Sequence, residues 1–161
     1  MCESLRSLFA AAVDAYRERL RARVERDATS LFVKLTSEPE YTALSINDSY
    51  GLTIVHEDGS QIPVRSAGAE HIVALSLMGA LQRNAPLSGP IVMDSPFGRL
   101  DNVHTTKVVQ ALSSMADQVM LLVYESELNP AQARNQLQGS LRKEYRIARV
   151  TARHSELQSI V

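Results

Sequence analysis

Two runs without a polar interruption constrain this chain most: IVM at 91–93 and VMLLV at 119–123. A strand that is polar on one face alternates, whereas an unbroken apolar strand is the pattern of a parallel sheet covered on both faces. Each run is preceded by a helical pattern, SAGAEHIVALSLMGALQRN before the first and NVHTTKVVQALSSMA before the second. Helix, buried strand, helix, buried strand predicts an α/β fold with a mostly parallel sheet flanked by helices. A further helix is expected over 130–137, with Pro130 at its start, where the missing N–H is harmless. EYRIARV then closes as an alternating strand.

Upstream, apolar residues at Leu5, Leu8, Phe9, Ala12, Val13, Tyr16, Leu20, Val24, Leu31, Phe32 and Leu35 describe one face of a long helix. Its other face is dense in charge between Tyr16 and Asp27. That narrow seam fits a coiled-coil stump entering a domain, or else a long amphipathic surface helix. Glu38-Pro39 ends it. The alternating stretch 41–64, broken at Asn47-Asp48 and Asp58-Gly59, predicts short antiparallel edge strands. The expected organisation is a coiled-coil end helix at 1–36 and an α/β lobe at 37–161.

At 161 residues the chain is long enough to bury one core. Its net charge of −1 argues against coating nucleic acid wholesale, and one cysteine excludes an internal disulfide framework. No apolar run reaches the roughly 18 residues of a membrane span. The expectation is a cytoplasmic domain with no membrane partner.

Asp94 ends the first apolar run. A carboxylate at the carboxyl end of a parallel strand faces the crevice where α/β folds bind ligands, and such a residue can hold Mg²⁺ beside phosphates. Asp before Ser-Pro is also a common turn. Ahead of it, Ser66, Ala67 and Gly68 open a helix, where exposed N–H groups and the dipole favour anions and small residues let a phosphate approach.

SAGAEHIVALSLMGAL followed by GPIVMDSPFGRLD resembles the signature motif and the Walker B/D-loop of ABC-type ATPase heads of the SMC and double-strand-break-repair class. With LLVYESEL, the run also resembles the SMC-like ATPase of bacterial DNA phosphorothioation (DNA sulfur modification) systems and related anti-phage ATPases. The resemblance implies the C-terminal lobe of a head. Ser66, Ala67 and Gly68 would meet ATP held by an opposing subunit, Asp94 would hold Mg²⁺, and Asp101 would be the D-loop aspartate. Three departures from the pattern stand out. Ser95 stands where a catalytic glutamate is usual, Arg65 and Ala69 alter the signature, and no histidine follows the second strand. Glu125 or Glu127 is the candidate for orienting the attacking water there.

No G-x-x-x-x-G-K-[ST] occurs in the 161 residues. The chain alone is therefore expected to bind ATP poorly and to hydrolyse almost none. The implied partners are an N-terminal P-loop lobe, a second head with ATP between the two, DNA, and other proteins of the modification or defence system. A non-hydrolysing dimerisation or interaction module of a DNA repair or defence complex is the alternative. Arg17, Arg19, Arg21 and Arg23 are candidate DNA contacts, or else a solvated helix face balanced by Glu18 and Glu25. The cluster Arg142, Lys143, Arg146 and Arg149 poses the same choice. His56, His71, His104 and His154 lack ligand spacing, and Met78, Met93, Met115 and Met120 are expected in the core.

Overall fold

The computed structural model describes residues 2–160; Met1 and Val161, the outer ends of the two expected domains, and the Cys2 side chain lie outside it. Helix α1 runs Cys2–Leu35 and is followed by strands β1 (Tyr41–Ile46), β2 (Leu52–His56) and β3 (Gln61–Ile62). Helix α2 (Ala67–Asn84) leads to β4 (Ile91–Asp94), α3 (Asn102–Met115) and β5 (Val119–Leu122). Helix α4 (Pro130–Leu137), a single 3-10 turn and the hairpin β6 (Tyr145–Thr151) and β7 (His154–Ser159) complete the chain.

Helix α1 has two halves with different surroundings. Leu5, Leu8, Phe9, Val13 and Tyr16 are exposed, whereas Val24, Ala28, Leu31, Phe32 and Leu35 are buried. The second half crosses α2 closely, because Gly79 has no side chain to keep it away. A Cβ there would sit 2.6 Å from Leu31 Cδ1 and 3.3 Å from Met115 Cε. Asn84 at the end of α2 donates to Asp27 on α1 at 2.7 Å, pinning the same crossing. Thr29 both donates to and accepts from the Leu44 backbone at 3.1 Å, which seats α1 on β1.

The sheets correct the expectation of a mostly parallel sheet. β1, β2 and β3 form an antiparallel meander, β4 and β5 form the one parallel pair among the described residues, and β6 and β7 form an antiparallel hairpin. Turns at Asn47-Asp48 and Asp58-Gly59 do join the meander, with Gly59 at φ 81°. β7, HSELQS, is exposed along its whole length and carries no apolar alternation that could announce it.

The apolar strands are also not covered on both faces. Ile91 and Met93 are buried on the α-helical side, but Val92, Met120 and Leu122 are 58%, 50% and 43% exposed on the other. Val92 pairs with Met120 and Asp94 with Leu122, so these residues form one bare apolar patch ending at a carboxylate. Met93 and Met115 are core as expected, while Met120 belongs to the bare face because strand pairing sends alternate residues to opposite sides.

Candidate functional site

The loop from Asp94 to Asp101 is held at several points. Ser95 takes φ 49°, a left-handed conformation uncommon outside glycine, and its N–H donates to Leu122 O at 2.8 Å, extending the parallel ladder by one bond. Pro96 and Phe97 are buried, and Leu100 N–H closes a turn onto Phe97 O at 2.9 Å. His71 on α2 reaches over to Pro96 O at 2.6 Å. A carbonyl can only accept, so Nε2 of His71 carries the proton.

Asp94 itself is exposed at the strand tip and has no hydrogen bond or ion pair among the described residues. A free carboxylate oxygen there suits a hard cation that takes most of its ligands from phosphates and water. No group of three or more His, Cys, Asp or Glu that could hold a metal ion occurs among the described residues. Any cation at Asp94 must therefore bring other ligands.

Ser66 caps α2: its hydroxyl accepts from Ala69 N–H at 3.1 Å. The cap takes up the Ala69 N–H, and the first-turn N–H groups of Ala67 and Gly68 have no acceptor within the helix. Asp101 caps α3 in the same way, accepting from His104 N–H at 2.8 Å and from His104 Nδ1 at 3.0 Å. The two caps meet. Ser66, Gly68, Ala69, Arg99, Asp101 and His104 line one cleft of about 240 Å³, whose other wall is Phe32, Thr36 and Tyr41. Asp94, Ser95, Glu125 and Glu127 do not line it.

The expected site residues thus fall into two groups, Ser66, Gly68 and Asp101 in the cleft and Asp94, Ser95, Glu125 and Glu127 outside its lining. Glu127 lies over the loop from Asp94 to Asp101: a Cβ at Gly98 would come within 2.9 Å of Glu127 Oε1. Glu125 points to Arg146 at 2.8 Å. Of the arginines on α1, Arg21 is held by Glu18, Asp48 and the Ile46 carbonyl, and Arg17 pairs with Asp14 at 3.6 Å, while Arg19 and Arg23 stay exposed.

No family model matches the chain. In an alignment of 126 positions that covers 70% of this chain, it is 26% identical to the DNA double-strand break repair Rad50 ATPase of Halobacterium salinarum, and it spans 14% of that relative. It superposes on the Smc head domain with coiled coil and joint from Pyrococcus yayanosii with a TM-score of 0.70. That match has 18% identity and covers 99% of this chain and 31% of the other. The chain has the fold of the C-terminal portion of an SMC/Rad50-type ATPase head. A second SMC structure, from work on ATP-driven dimerization and DNA-stimulated activation of SMC ATPases, matches with a TM-score of 0.65. Identity is again 18%, with 92% of this chain and 89% of that one covered.

Within this SMC-head fold, three side chains that sequence reasoning left aside turn out to be tied to the site. His71 and His104 hold the loop from two helices, and Lys107 on α3 donates to Thr36 O at the end of α1. The Asp101–His104 spacing, an N-cap three residues before a donor, was a readable local signal. The contacts of His71 and Lys107 had none, since their partners lie 25 and 71 residues away.

The Asp101 carboxyl is held below its ordinary 3.8, first by the His104 backbone N–H and then by the His104 ring. A carboxylate whose folded pKa is depressed stabilises fully above its unfolded value and loses that contribution as pH falls through the folded value. Asp101→Asn keeps a capping oxygen but does not titrate. Thermal unfolding measured from pH 5 to pH 3 should therefore show a shallower acid loss for the variant than for the parent, the two curves parting below about pH 4. The side chain is largely solvent-facing, so the difference should be small.

Proposed function

We propose that this chain is the C-terminal lobe of an SMC-like ATPase that binds and hydrolyses ATP between two dimerised heads to drive a DNA transaction. The observation that carries the reading is the bare face of β4 and β5. Val92, Met120 and Leu122 present an apolar patch that runs to an unpartnered Asp94. Exposing such a patch is unfavourable unless another surface covers it. A P-loop lobe of the same protein packed against this face would bring phosphates to Asp94.

When bound, Mg²⁺ neutralises developing charge on the transferred phosphoryl group. Asp94 would hold the cation through one carboxylate oxygen. Ser66 and the first-turn N–H groups of Ala67 and Gly68 would bind the terminal phosphate of a nucleotide carried by an opposing head. The separation of the two groups of residues supports this division, since Ser66 and Asp101 share a cleft that Asp94 does not line. Glu127, lying over the loop, is better placed to orient water than Glu125, which is paired with Arg146. Of the four arginines at 17, 19, 21 and 23, Arg19 and Arg23 are exposed and unpaired among the described residues and would be available to DNA phosphates.

DNA phosphorothioation, or restriction linked to it, is the specific transaction that the sequence resemblance supports; other proteins of that system would then be partners. Ser95 favours a second reading, a non-hydrolysing dimerisation module, because a hydroxyl beside Asp94 cannot act as a carboxylate base.

Isothermal calorimetry tests the half-site. This chain alone should show no tight magnesium-dependent ATP binding, and a protein joining it to its P-loop lobe should bind ATP and dimerise. Tight binding by the 161 residues alone would refute the proposal.

A further inference from the structure

The root of α1 and the Asp101 cap are joined by a continuous chain of hydrogen bonds. Helix α1 ends at Leu35, and the next residues, Thr36 and Ser37, are both gripped by α3. Lys107 Nζ donates to Thr36 O, and Ser37 Oγ lies 3.0 Å from His104 Nε2. The other ring nitrogen of His104 lies 3.0 Å from Asp101 Oδ1. A carboxylate accepts only, so Nδ1 carries a proton, and in the neutral ring Nε2 then accepts from the Ser37 hydroxyl. Both ring nitrogens are thus committed, one to Ser37, 67 residues from His104 in sequence, and the other to Asp101.

Rigid geometry makes this more than a local cap. The imidazole is planar and three-quarters or more enclosed, with its side chain 19% exposed. Moving Ser37 must either turn the ring or break a bond. Turning the ring displaces the acceptor that also receives the His104 backbone N–H, which is the first turn of α3. On the side of α2, His71 holds the same loop at Pro96 and resists a compensating shift.

We propose that His104 is a positioning residue that couples the seating of the α1 root to the placement of Asp101. It rests on the reading above in one respect only, that Asp101 faces the composite nucleotide site. A long helix half in solvent and half in the core is a lever, and the Ser37–His104–Asp101 chain is where its fixed end meets the cleft.

Residue-resolved amide hydrogen exchange on this 161-residue chain tests the coupling without nucleotide. Ser37→Ala should speed exchange of the His104 amide by roughly three- to tenfold, the factor expected for losing one neutral hydrogen bond. Amides of Val108 and Leu112, deeper in α3, should not change. His104→Asn keeps a donor near the Nδ1 position and His104→Gln keeps a polar atom near the Nε2 position, so each retains one link and breaks the chain. In both variants Ser37→Ala should no longer affect residues 101–105. An unchanged His104 amide in Ser37→Ala, uniform acceleration through Leu112, or the same Ser37→Ala effect in the His104 variants would each overturn the coupling. In the longer protein with its P-loop lobe, Ser37→Ala should lower kcat for ATP while KM stays within twofold. Absence of turnover in the unsubstituted longer protein would sink the ATPase reading and leave the exchange result standing. Altered turnover with unaltered exchange would sink the coupling alone.

Discussion

Phe32→Ala should destabilise the protein by about 3–5 kcal/mol, the range for truncating a fully buried phenylalanine. Phe32 is 1% exposed and stacks on Tyr41, with ring centroids 6.3 Å apart and an interplanar angle of 17°. It is also the point where α1, β1 and the cleft meet, because its side chain forms part of the wall opposite Ser66 and Asp101. Removing the ring takes apolar area out of the core and leaves a cavity that the surrounding buried residues can fill only partly. Against a total stability of about 5–15 kcal/mol, such a loss leaves the fold marginal. Denaturant unfolding with an unchanged m-value would measure it. Phe32→Leu, which refills most of the volume, should lose markedly less. A shift under 1 kcal/mol for Phe32→Ala would mean that the second half of α1 is not an integral part of the core.

Asp94→Asn should do the opposite: leave stability within about 0.5 kcal/mol and sharply lower turnover in the assembled ATPase. The side chain is exposed and makes no hydrogen bond or ion pair among the described residues, so no pairing in the fold depends on its charge. Asparagine has the same shape, but a neutral amide oxygen is a poorer ligand for a hard cation than a carboxylate. Loss of that electrostatic support should lower kcat by on the order of a hundredfold or more, equivalent to about 2.7 kcal/mol of transition-state stabilisation. Steady-state ATP turnover by the longer protein, with thermal unfolding as the folding control, separates the two effects. Turnover left unchanged by Asp94→Asn would remove the carboxylate from the mechanism and favour the interaction-module reading that Ser95 already suggests.

The bare face of β4 and β5 shows why strand composition misled. Continuous apolar residues at 91–93 and 119–123 implied cover on both sides, and the helices of this chain supply it on one. Under the proposed function, a P-loop lobe outside these 161 residues would supply the cover that the pattern implied. The expectation of a mostly parallel sheet failed for a different reason. Strand direction depends on which strands pair, and 41–64 and 145–159 close as antiparallel hairpins and a meander through short turns. Composition carries no record of that choice beyond the turn residues themselves.

Local chemistry, by contrast, was legible. The end of α1 before Glu38-Pro39, the start of α4 at Pro130, the turns at 47–48 and 58–59, and the carboxylate at the tip of β4 all follow from interactions spanning about four residues or fewer. Propensity, capping and side-chain period act over that range. Tertiary structure alone decided that Ser66 and Asp101 share a cleft and that Arg21 is occupied by Glu18 and Asp48. It also decided that Ser37 meets His104. Apart from the Arg21–Glu18 pair, those contacts join residues 27 to 67 positions apart, and packing of α1 against the β1–β2 hairpin, α2 and α3 brings them together.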